Sequence, residues 1–438
     1  MFEFIKKVIT NQKKDYLLLL ILLTVLAAFE FCLIAMYDCI ATSNYMTMLS
    51  LSSIPTLALA IAVVLSVFIT KYFIQSKQQE FSMLLLFGRK PKDLFIYLIL
   101  QYAILLIIAF GLGIILGLFL MYAINSLLHI LQMTFSFHFD LSNNLFLYFC
   151  FLIITVILVL AVSTQQFTQI ECHLSTTINH KSVQKGAPYL IAMSRHSLKR
   201  KFPITQVITS FFAIYIFFYA LYALITDTLL QNKLIYFSLS LASMIIIINT
   251  FIPLLFDICH QSILQHPFLF YSISGFIDLT NQLVSIANIH AIVVPVMFMF
   301  LLMGETTSNI NAFIIPCFMM MLIMLLLCLI IKFSLYLKST FNIYATQYAL
   351  GYNQKQLFKI SLFKNILFIF LVIIIPLIYI HYLGSYIVMQ GYLSKSIMTG
   401  LEILYIVIYF MFLILMIIKE KQCIKEVSDH VKYLNRSE

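Results

Sequence analysis

The sequence predicts an all-α polytopic membrane protein with ten transmembrane helices. Of the 438 residues, 62% are apolar and only 10% are charged, whereas a soluble domain carries about 25% charged residues. The mean hydropathy is +1.02. The apolar residues are gathered in long runs, which one soluble core cannot bury because its surface must stay polar. This composition excludes a disordered chain, a disulfide scaffold and a large soluble catalytic domain.

Ten apolar segments meet or approach the length that a membrane-spanning helix needs, which is roughly 20 residues for a hydrocarbon core of about 30 Å. They lie near residues 16–37, 53–74, 94–128, 145–164, 205–226, 234–256, 289–303, 310–331, 362–388 and 401–419. The seventh segment is short, and the third is long enough to project beyond the bilayer. The first is too long for a signal-peptide core and lacks a small-residue cleavage site, so we expect it to remain as a helix.

The basic residues predict the orientation of these spans. With ten spans, both termini lie on one side, and all but Lys233 and Lys395 of the 27 Lys and Arg residues fall on that side. Because cytoplasmic loops are enriched in Lys and Arg, we expect a multi-pass protein whose two termini are both cytoplasmic. The same bias accounts for the formal net charge of +10, so we infer no nucleic-acid partner.

The segments on the opposite side are all short. They lie near residues 38–52, 129–144, 227–233, 304–309 and 389–400. We therefore expect no folded domain on that side, and a ligand would be met within the membrane or at its surface.

No residue pattern indicates chemistry on this chain. The eight cysteines include no C-x-x-C pair, and the ten histidines include no metal-binding spacing. The sequence also lacks G-x-x-x-x-G-K-[ST] and any Gly-Lys dipeptide, so it cannot supply a P-loop for nucleotide phosphates. We expect no enzymatic activity, no metal site and no cofactor.

Two segments between spans form an internal repeat: a first elbow at Ser76–Tyr97 and a second elbow at Ser339–Ile360. A shift of 263 residues aligns Gly88 with Gly351, Lys92 with Lys355, Leu94 with Leu357 and Phe95 with Phe358. Each copy follows one span and precedes two more. The repeat therefore predicts two four-span halves joined by two spans, a 4+2+4 arrangement typical of transporters built from repeats.

This arrangement divides the chain into four parts. Residues 1–165 form the first half, and residues 166–285 hold a cytoplasmic linker with the fifth and sixth spans. Residues 286–420 form the second half, and residues 421–438 form a cytoplasmic tail.

Each elbow reads as a helix that leaves the membrane, a glycine break and a basic turn into the next span. An apolar helix face with a charged rim can dock on a cytosolic partner. The alternative is an interfacial elbow whose lysines meet anionic lipid headgroups, and two copies in register favour docking. The residues predicted to contact the partner are Glu80, Phe81, Leu84, Gly88, Arg89, Lys90, Lys92, Tyr348, Gly351, Tyr352 and Lys355.

A few residues within the spans are candidates for packing or polar function. Gly113 and Gly117 form a G-x-x-x-G pattern that permits close helix packing. Glu30 and His381 lie inside spans, where an ionisable group is costly and a polar substrate path is one interpretation. The alternatives are a neutral carboxyl near the outer interface and a neutral buried histidine.

The string E-F-x-x-L-x-x-x-G at Glu80–Gly88, followed by basic residues and L-F, resembles the core of FtsX-like ABC transporter permeases. The first such core covers about residues 53–165, and the second lies within 286–420. The 4+2+4 arrangement is similar to the bacitracin-type branch of peptide-antibiotic resistance permeases. The stretches FLFYSISGFIDLTNQLVSIANI before the seventh span and HSLKRK before the fifth also resemble that branch.

The chain departs from that branch in two respects. The family's glutamate thirteen residues after the glycine is replaced by Gln101 and Lys364. The large extracellular domain between the seventh and eighth spans is missing, and only a few residues around GETTSNIN take its place.

The resemblance implies a permease in the bacterial plasma membrane, driven by a cytosolic ABC ATPase in two copies. It also implies a role in antimicrobial peptide resistance, a sensor histidine kinase as a further partner, and contact with membrane lipids. The substrate would be an amphipathic peptide or a lipid-linked molecule. Two alternatives remain: an FtsX-like subunit that passes ATPase motion to another membrane protein without transport, and a secondary transporter driven by ions.

Overall fold

The computed structural model describes most of the chain as helix. The described residues are 13–40, 45–77, 91–130, 145–157, 160–161, 163–164, 204–226, 230–251, 267–303, 308–391 and 394–437. No strand occurs among them. The helices are α1 (Lys13–Ile40), α2 (Tyr45–Ser76), α3 (Pro91–Ile130), α4 (Leu145–Ile157), α5 (Ile204–Thr226), α6 (Leu230–Ile246), α7 (Pro267–Met303), α8 (Ser308–Ala349), α9 (Gln354–Met389) and α10 (Lys395–Ser437).

Each predicted apolar segment overlaps one of these helices. Seven of them, α1, α2, α3, α5, α8, α9 and α10, are long and apolar enough to cross a membrane. Helix α7 makes an eighth if its two bent parts form one span, and the apolar stretches of α4 and α6 are shorter. The all-helical, multi-span class is confirmed for the described residues, while ten spans in a 4+2+4 arrangement remain a prediction.

Helix α7 begins much earlier than the predicted seventh segment at residues 289–303. It starts at Pro267 and bends by 60° between the parts Phe268–Val284 and Ile286–Phe298. The apolar run breaks near Asp278 because several polar residues follow each other there, but the helix continues, and the Thr280 hydroxyl donates back to the Phe276 carbonyl at 2.8 Å. Hydropathy therefore misses the first half of this helix.

The chain forms two compact units. The first consists of residues 1–184 and 304–331, and the second of residues 185–303 and 332–438. Helix α8 contributes its first part to the first unit and its remainder to the second. The four-part division by repeat remains a prediction.

In the first unit, α1 packs against both α3 and α2. Aromatic side chains bring α4 to the same core: the Tyr148 ring lies 5.4 Å from Phe31 of α1 and 5.1 Å from Phe110 of α3. The Tyr148 hydroxyl, which is buried, donates to the Ala27 carbonyl at 3.3 Å. This core is mostly apolar and is packed around α1.

In the second unit, α9 packs against α7 and α10, and α5 packs against α6. Helix α6 ends in a π-helical turn, Ile247–Phe251, whose Thr250 hydroxyl lies 3.2 Å from that of Ser210 in α5. Helix α9 ends in a turn at Gly391, which has a positive φ of 76°. This unit carries the second elbow.

Candidate functional site

The second elbow is a tight turn with well-defined caps. Gly351 has a φ of +98°, a conformation that side-chain-bearing residues rarely adopt. Its N–H donates to the Tyr348 carbonyl at 3.0 Å, and the N–H of Tyr352 donates to the Gln347 carbonyl at 3.2 Å. These two bonds form the Schellman motif that ends a helix at glycine. The predicted glycine break is therefore present at Gly351.

The next helix starts immediately after this turn. Asn353 is the N-cap of α9: its side chain accepts from the N–H of Gln356 at 2.9 Å, and the Gln356 side chain accepts from the N–H of Asn353 at 3.0 Å. This reciprocal capping box satisfies two backbone donors that the first helical turn leaves unpaired. Only four residues thus separate α8 from α9, and their backbone is held by local hydrogen bonds.

The inner side of the second elbow packs against α10. A buried apolar cluster joins Tyr344 and Leu357 of the elbow to Ile424 and Val427 of α10. Around it, partly buried, lie Phe341, Ala345, Tyr348, Tyr352 and Phe358. Tyr348 and Tyr352, which the sequence predicted as partner contacts, therefore also support the elbow from within.

Helix α7 contributes a further support. The Tyr271 ring lies 5.3 Å from the Tyr352 ring, edge to face at 77°. Desolvation, together with the neighbouring Tyr271 hydroxyl, raises the pKa of Tyr352 above its ordinary value. The elbow is thus held between α7 and α10.

The solvent-exposed side of the second elbow has an apolar tip. Leu350, which directly precedes the glycine, is 68% exposed. Gly351, Asn353 and Lys355 beside it are exposed as well. An exposed leucine beside a lysine on a well-defined turn is a suitable anchor for a protein partner. Leu350 was not among the residues predicted from the sequence, although its position directly before a glycine that ends a helix was a usable signal.

A buried polar network lies behind the elbow. The Lys364 ammonium of α9 forms an ion pair with the Glu420 carboxylate of α10, and both side chains are almost fully buried. Lys364 also donates to the hydroxyls of Tyr344 at 2.9 Å and Tyr336 at 3.1 Å. A buried charge pair is tolerated only when such additional hydrogen bonds satisfy its remaining polar atoms.

Glu420 is held by several donors. Its first oxygen accepts from Lys364 and from Tyr344, the latter at 3.0 Å. Its second oxygen accepts from Ser361 and Asn365 of α9. One carboxylate therefore binds side chains of α8 and α9 to α10.

Glu420 was not among the residues predicted from the sequence, although the spacing of its neighbours in α10 is a usable signal. Tyr409, Phe412, Met416, Glu420 and Cys423 are buried at spacings of three or four residues, which places them on one helix face. Glu420 is the last residue of the predicted second half and follows the tenth apolar segment, and no role was predicted for it. Lys364 was noted only as a departure from the family pattern, and its partner was not predicted.

Most of the predicted contact residues of the first elbow lie outside the part of the chain that the structure describes. Glu80, Phe81, Leu84, Gly88, Arg89 and Lys90 lie outside the described residues. Lys92 lies in the first turn of α3, and its side chain lies outside the description. Their predicted roles remain predictions.

Gly113 and Gly117 lie where α3 approaches α1 most closely. A Cβ atom at Gly113 would come within 2.5 Å of the Ala27 Cβ, and one at Gly117 within 2.7 Å of the Phe31 ring. The Gly117 carbonyl accepts from the Cys32 thiol at 3.3 Å. Both positions therefore have no room for a larger residue.

The two predicted intramembrane polar residues have different environments. Glu30, in the first unit, is 1% exposed, and neither carboxylate oxygen has a hydrogen-bond partner among the described residues. His381, in the second unit, has a side chain that is 71% exposed and lies 3.2 Å from the Glu402 carboxylate. The expectation of a buried histidine is therefore wrong for His381.

Among the described residues of the second unit, His290 is a buried histidine. Its Nε2 lies 2.7 Å from the Tyr405 hydroxyl, and its Nδ1 lies 2.8 Å from the Tyr409 hydroxyl. A neutral imidazole has one donor and one acceptor, so one phenol donates and the other accepts. This arrangement satisfies His290 completely and joins α7 to α10.

Comparison with known families identifies part of the chain. The family model described as FtsX-like permease C-terminal matches residues 52–171. An FtsX-like permease domain is therefore present there, and it includes the first elbow, α3 and α4. No curated protein matches the chain. The bacitracin-type branch and the second permease core remain predictions.

Proposed function

We propose that this chain is the membrane-spanning permease subunit of an ATP-binding cassette transporter and that a separate ATPase drives it. The observation that carries the proposal is the FtsX-like permease domain at residues 52–171, in a chain with at least seven apolar helices long enough to cross a membrane. Permeases of this family generally work with an ATPase partner.

The second elbow supplies the contact that this proposal needs. Its tip at Leu350 is apolar and exposed, and its backbone is fixed by the turn at Gly351 and the cap at Asn353. A force applied at such a tip moves the attached helices instead of deforming the loop. We therefore assign this elbow, and by its repeat the first elbow, to ATPase docking on the cytoplasmic side of a bacterial plasma membrane.

The proposed substrate is amphipathic. The segments that the sequence assigns to the outer face are short, so a substrate is taken from the membrane or its surface. An antimicrobial or signalling peptide and a lipid-linked molecule both fit this route. Peptide resistance and a sensor histidine kinase belong to the proposal through the resemblance alone.

The decisive experiment is co-purification with a cytosolic ABC ATPase. We expect Leu350→Asp to reduce the retained ATPase by about thirtyfold, because a charge replaces an apolar anchor, and anchors of this kind contribute about 2 kcal/mol or more to an interface. Met389→Asp is the matched control, since Met389 is 84% exposed at the turn on the opposite end of α9. Equal ATPase retention by the two variants would contradict the docking role.

The same complex, reconstituted in liposomes, separates transport from mechanical signalling. Movement of a labelled peptide that depends on ATP supports a transporter. ATP hydrolysis coupled to a partner's response without any peptide movement favours the transmission subunit.

A further inference from the structure

A groove in the second unit lies between the start of α9 and the last third of α10. It is lined by Gln354, Lys355, Phe358, Lys421, Ile424 and Lys425, and its volume is about 220 Å³. Phe358 and Ile424 provide apolar walls, whereas three lysines provide ammonium groups. The groove therefore combines a cationic rim with an apolar surface.

Two sets of contacts hold its walls in place. Leu357 of α9 and Ile424 of α10 belong to the same buried cluster. The Gln354 amide donates to the Ser428 hydroxyl and joins the two helices at the edge of the groove. The groove is thus a feature of the packed unit and does not require a ligand in order to form.

The charge of the groove is not balanced by its own lining. Lys355, Lys421 and Lys425 are all exposed, and no acidic residue is among the six that line it. The buried Glu420 carboxylate, next to Lys421 in sequence, is already paired with Lys364. Lys421 and Lys425 are four residues apart on one helix face, where like charges repel each other. An anion bound between the ammonium groups of Lys421 and Lys425 would offset that repulsion.

The position of the groove matches the depth of lipid headgroups. The apolar run of α10 extends to Ile418 and ends at Lys419. At 1.5 Å per residue, Lys421 and Lys425 lie about 5–10 Å beyond it, and the headgroup region is roughly 5–8 Å thick on each side of the hydrocarbon core. Basic pockets between membrane helices are a known setting for anionic lipid headgroups.

The size of the groove argues against a protein occupant. Six residues line the groove, whereas each side of a standard protein interface contributes about 20–30 residues. A stable protein interface also buries about 800 Å² on each partner, a surface that a cleft of this size does not offer.

We infer that this groove binds the phosphate headgroup of an anionic phospholipid. The ammonium groups of Lys355, Lys421 and Lys425 contact the phosphate, and Phe358 and Ile424 contact the glycerol and the upper acyl chain. The bound lipid joins α9 to α10 directly behind the second elbow. Lys355 also lies beside the docking tip at Leu350, so the test of this inference changes only Lys421 and Lys425.

The test uses the full chain with its ATPase partner in nanodiscs of phosphatidylcholine with a minority of phosphatidylglycerol. After extraction, native mass spectrometry counts the retained phosphatidylglycerol. We expect the double variant Lys421→Gln, Lys425→Gln to retain about thirtyfold less, because each basic residue near an anionic surface contributes roughly a factor of five. The matched control is Lys359→Gln, Lys419→Gln, which removes two exposed lysines of the same helices that do not line the groove.

Three results would overturn the inference. Equal loss of phosphatidylglycerol from both double variants would indicate general surface charge. Equal displacement of the lipid by free glycerol phosphate and by phosphatidylglycerol would indicate a site for soluble anions. If the Lys421→Gln, Lys425→Gln variant lost ATPase binding but retained as much phosphatidylglycerol as the wild type, the groove would be assigned to the protein partner. Melting temperatures of both variants equal to the wild-type value establish that the fold is intact.

Discussion

At the scale of single residues, the most informative position is the one thirteen residues after the elbow glycine. Lys364 occupies it in the second half, and its carboxylate partner, Glu420, comes from α10. Gln101 occupies it in the first half, where it is buried and its amide nitrogen has no partner among the described residues. This position of the predicted repeat is thus polar and buried in both copies, and it carries a charged, ion-paired side chain at Lys364 but an uncharged one at Gln101.

The Lys364–Glu420 pair predicts a strong and asymmetric effect on stability. Lys364→Met leaves the Glu420 carboxylate buried without a counter-charge, so we expect a loss of about 3–5 kcal/mol in the free energy of unfolding. Adding Glu420→Met should recover most of that loss, because no isolated charge then remains. Thermal unfolding in detergent measures both changes. Lys359→Met, on the exposed side of α9, is the control, and the same loss in this control would contradict the role of the pair.

The close approach at Gly113 gives a second residue-scale prediction. In Gly113→Ala the new methyl group meets the Ala27 Cβ, so we expect a destabilisation of about 1–3 kcal/mol from overpacking. Gly111→Ala is matched in helix and chemistry, and a Cβ atom there has nothing within 4 Å. The control should be neutral or more stable by about 1 kcal/mol, because alanine favours a helix more than glycine does. Equal melting temperatures for the two variants would show that α1 and α3 are not tightly packed at this point.

At the scale of elements, the second elbow is a short turn between two long helices, and local hydrogen bonds hold its backbone. Its Schellman bonds end α8, its capping box starts α9, and Tyr352 packs against Tyr271. Sequence analysis predicted the glycine break, because glycine alone adopts a left-handed turn at low cost. It could not predict which side chains face inward, since that depends on α7 and α10, which are distant in sequence.

The role of Gly351 in this turn can be tested directly. Gly351→Ala places a side chain at a φ of +98°, and we expect a cost of about 1–2 kcal/mol together with weaker ATPase stimulation, because the turn would shift. Gly400→Ala, in an open helical position with nothing within 4 Å of the added Cβ, serves as the control. ATPase activity of the reconstituted complex is the measurement. Full stimulation in Gly351→Ala would show that the exact turn does not matter for coupling.

At the scale of the whole molecule, the apolar runs were sufficient to predict an all-helical membrane protein. They located every described helix, but they failed for the polar first half of α7 because Asp278 and its neighbours lower the hydropathy without ending the helix. Polar partners were harder to predict: the His290, Tyr405 and Tyr409 contacts join helices more than one hundred residues apart in sequence. No local pattern encodes such a pairing.

A polar substrate path through Glu30 and His381 is a hypothesis at this scale. Glu30→Gln keeps the shape of the side chain and removes its ionisable carboxyl group, so we expect unchanged folding, since Glu30 is buried without a partner among the described residues. If the path exists, Glu30→Gln and His381→Ala reduce peptide transport at least tenfold. Transport equal to the wild type in both variants would end the hypothesis, and ATPase activity of the same samples controls for coupling.

The carboxylate of Glu420 has one more consequence. Because it accepts hydrogen bonds from Tyr344 on α8 and from Ser361, Lys364 and Asn365 on α9, separating any of these helices from α10 would leave buried polar groups without their partners. The three helices must therefore travel as one block during a working cycle. Helices can therefore slide past each other only at the borders of that block. Pairs of labels for spectroscopic distance measurements should be placed across those borders instead of inside the block.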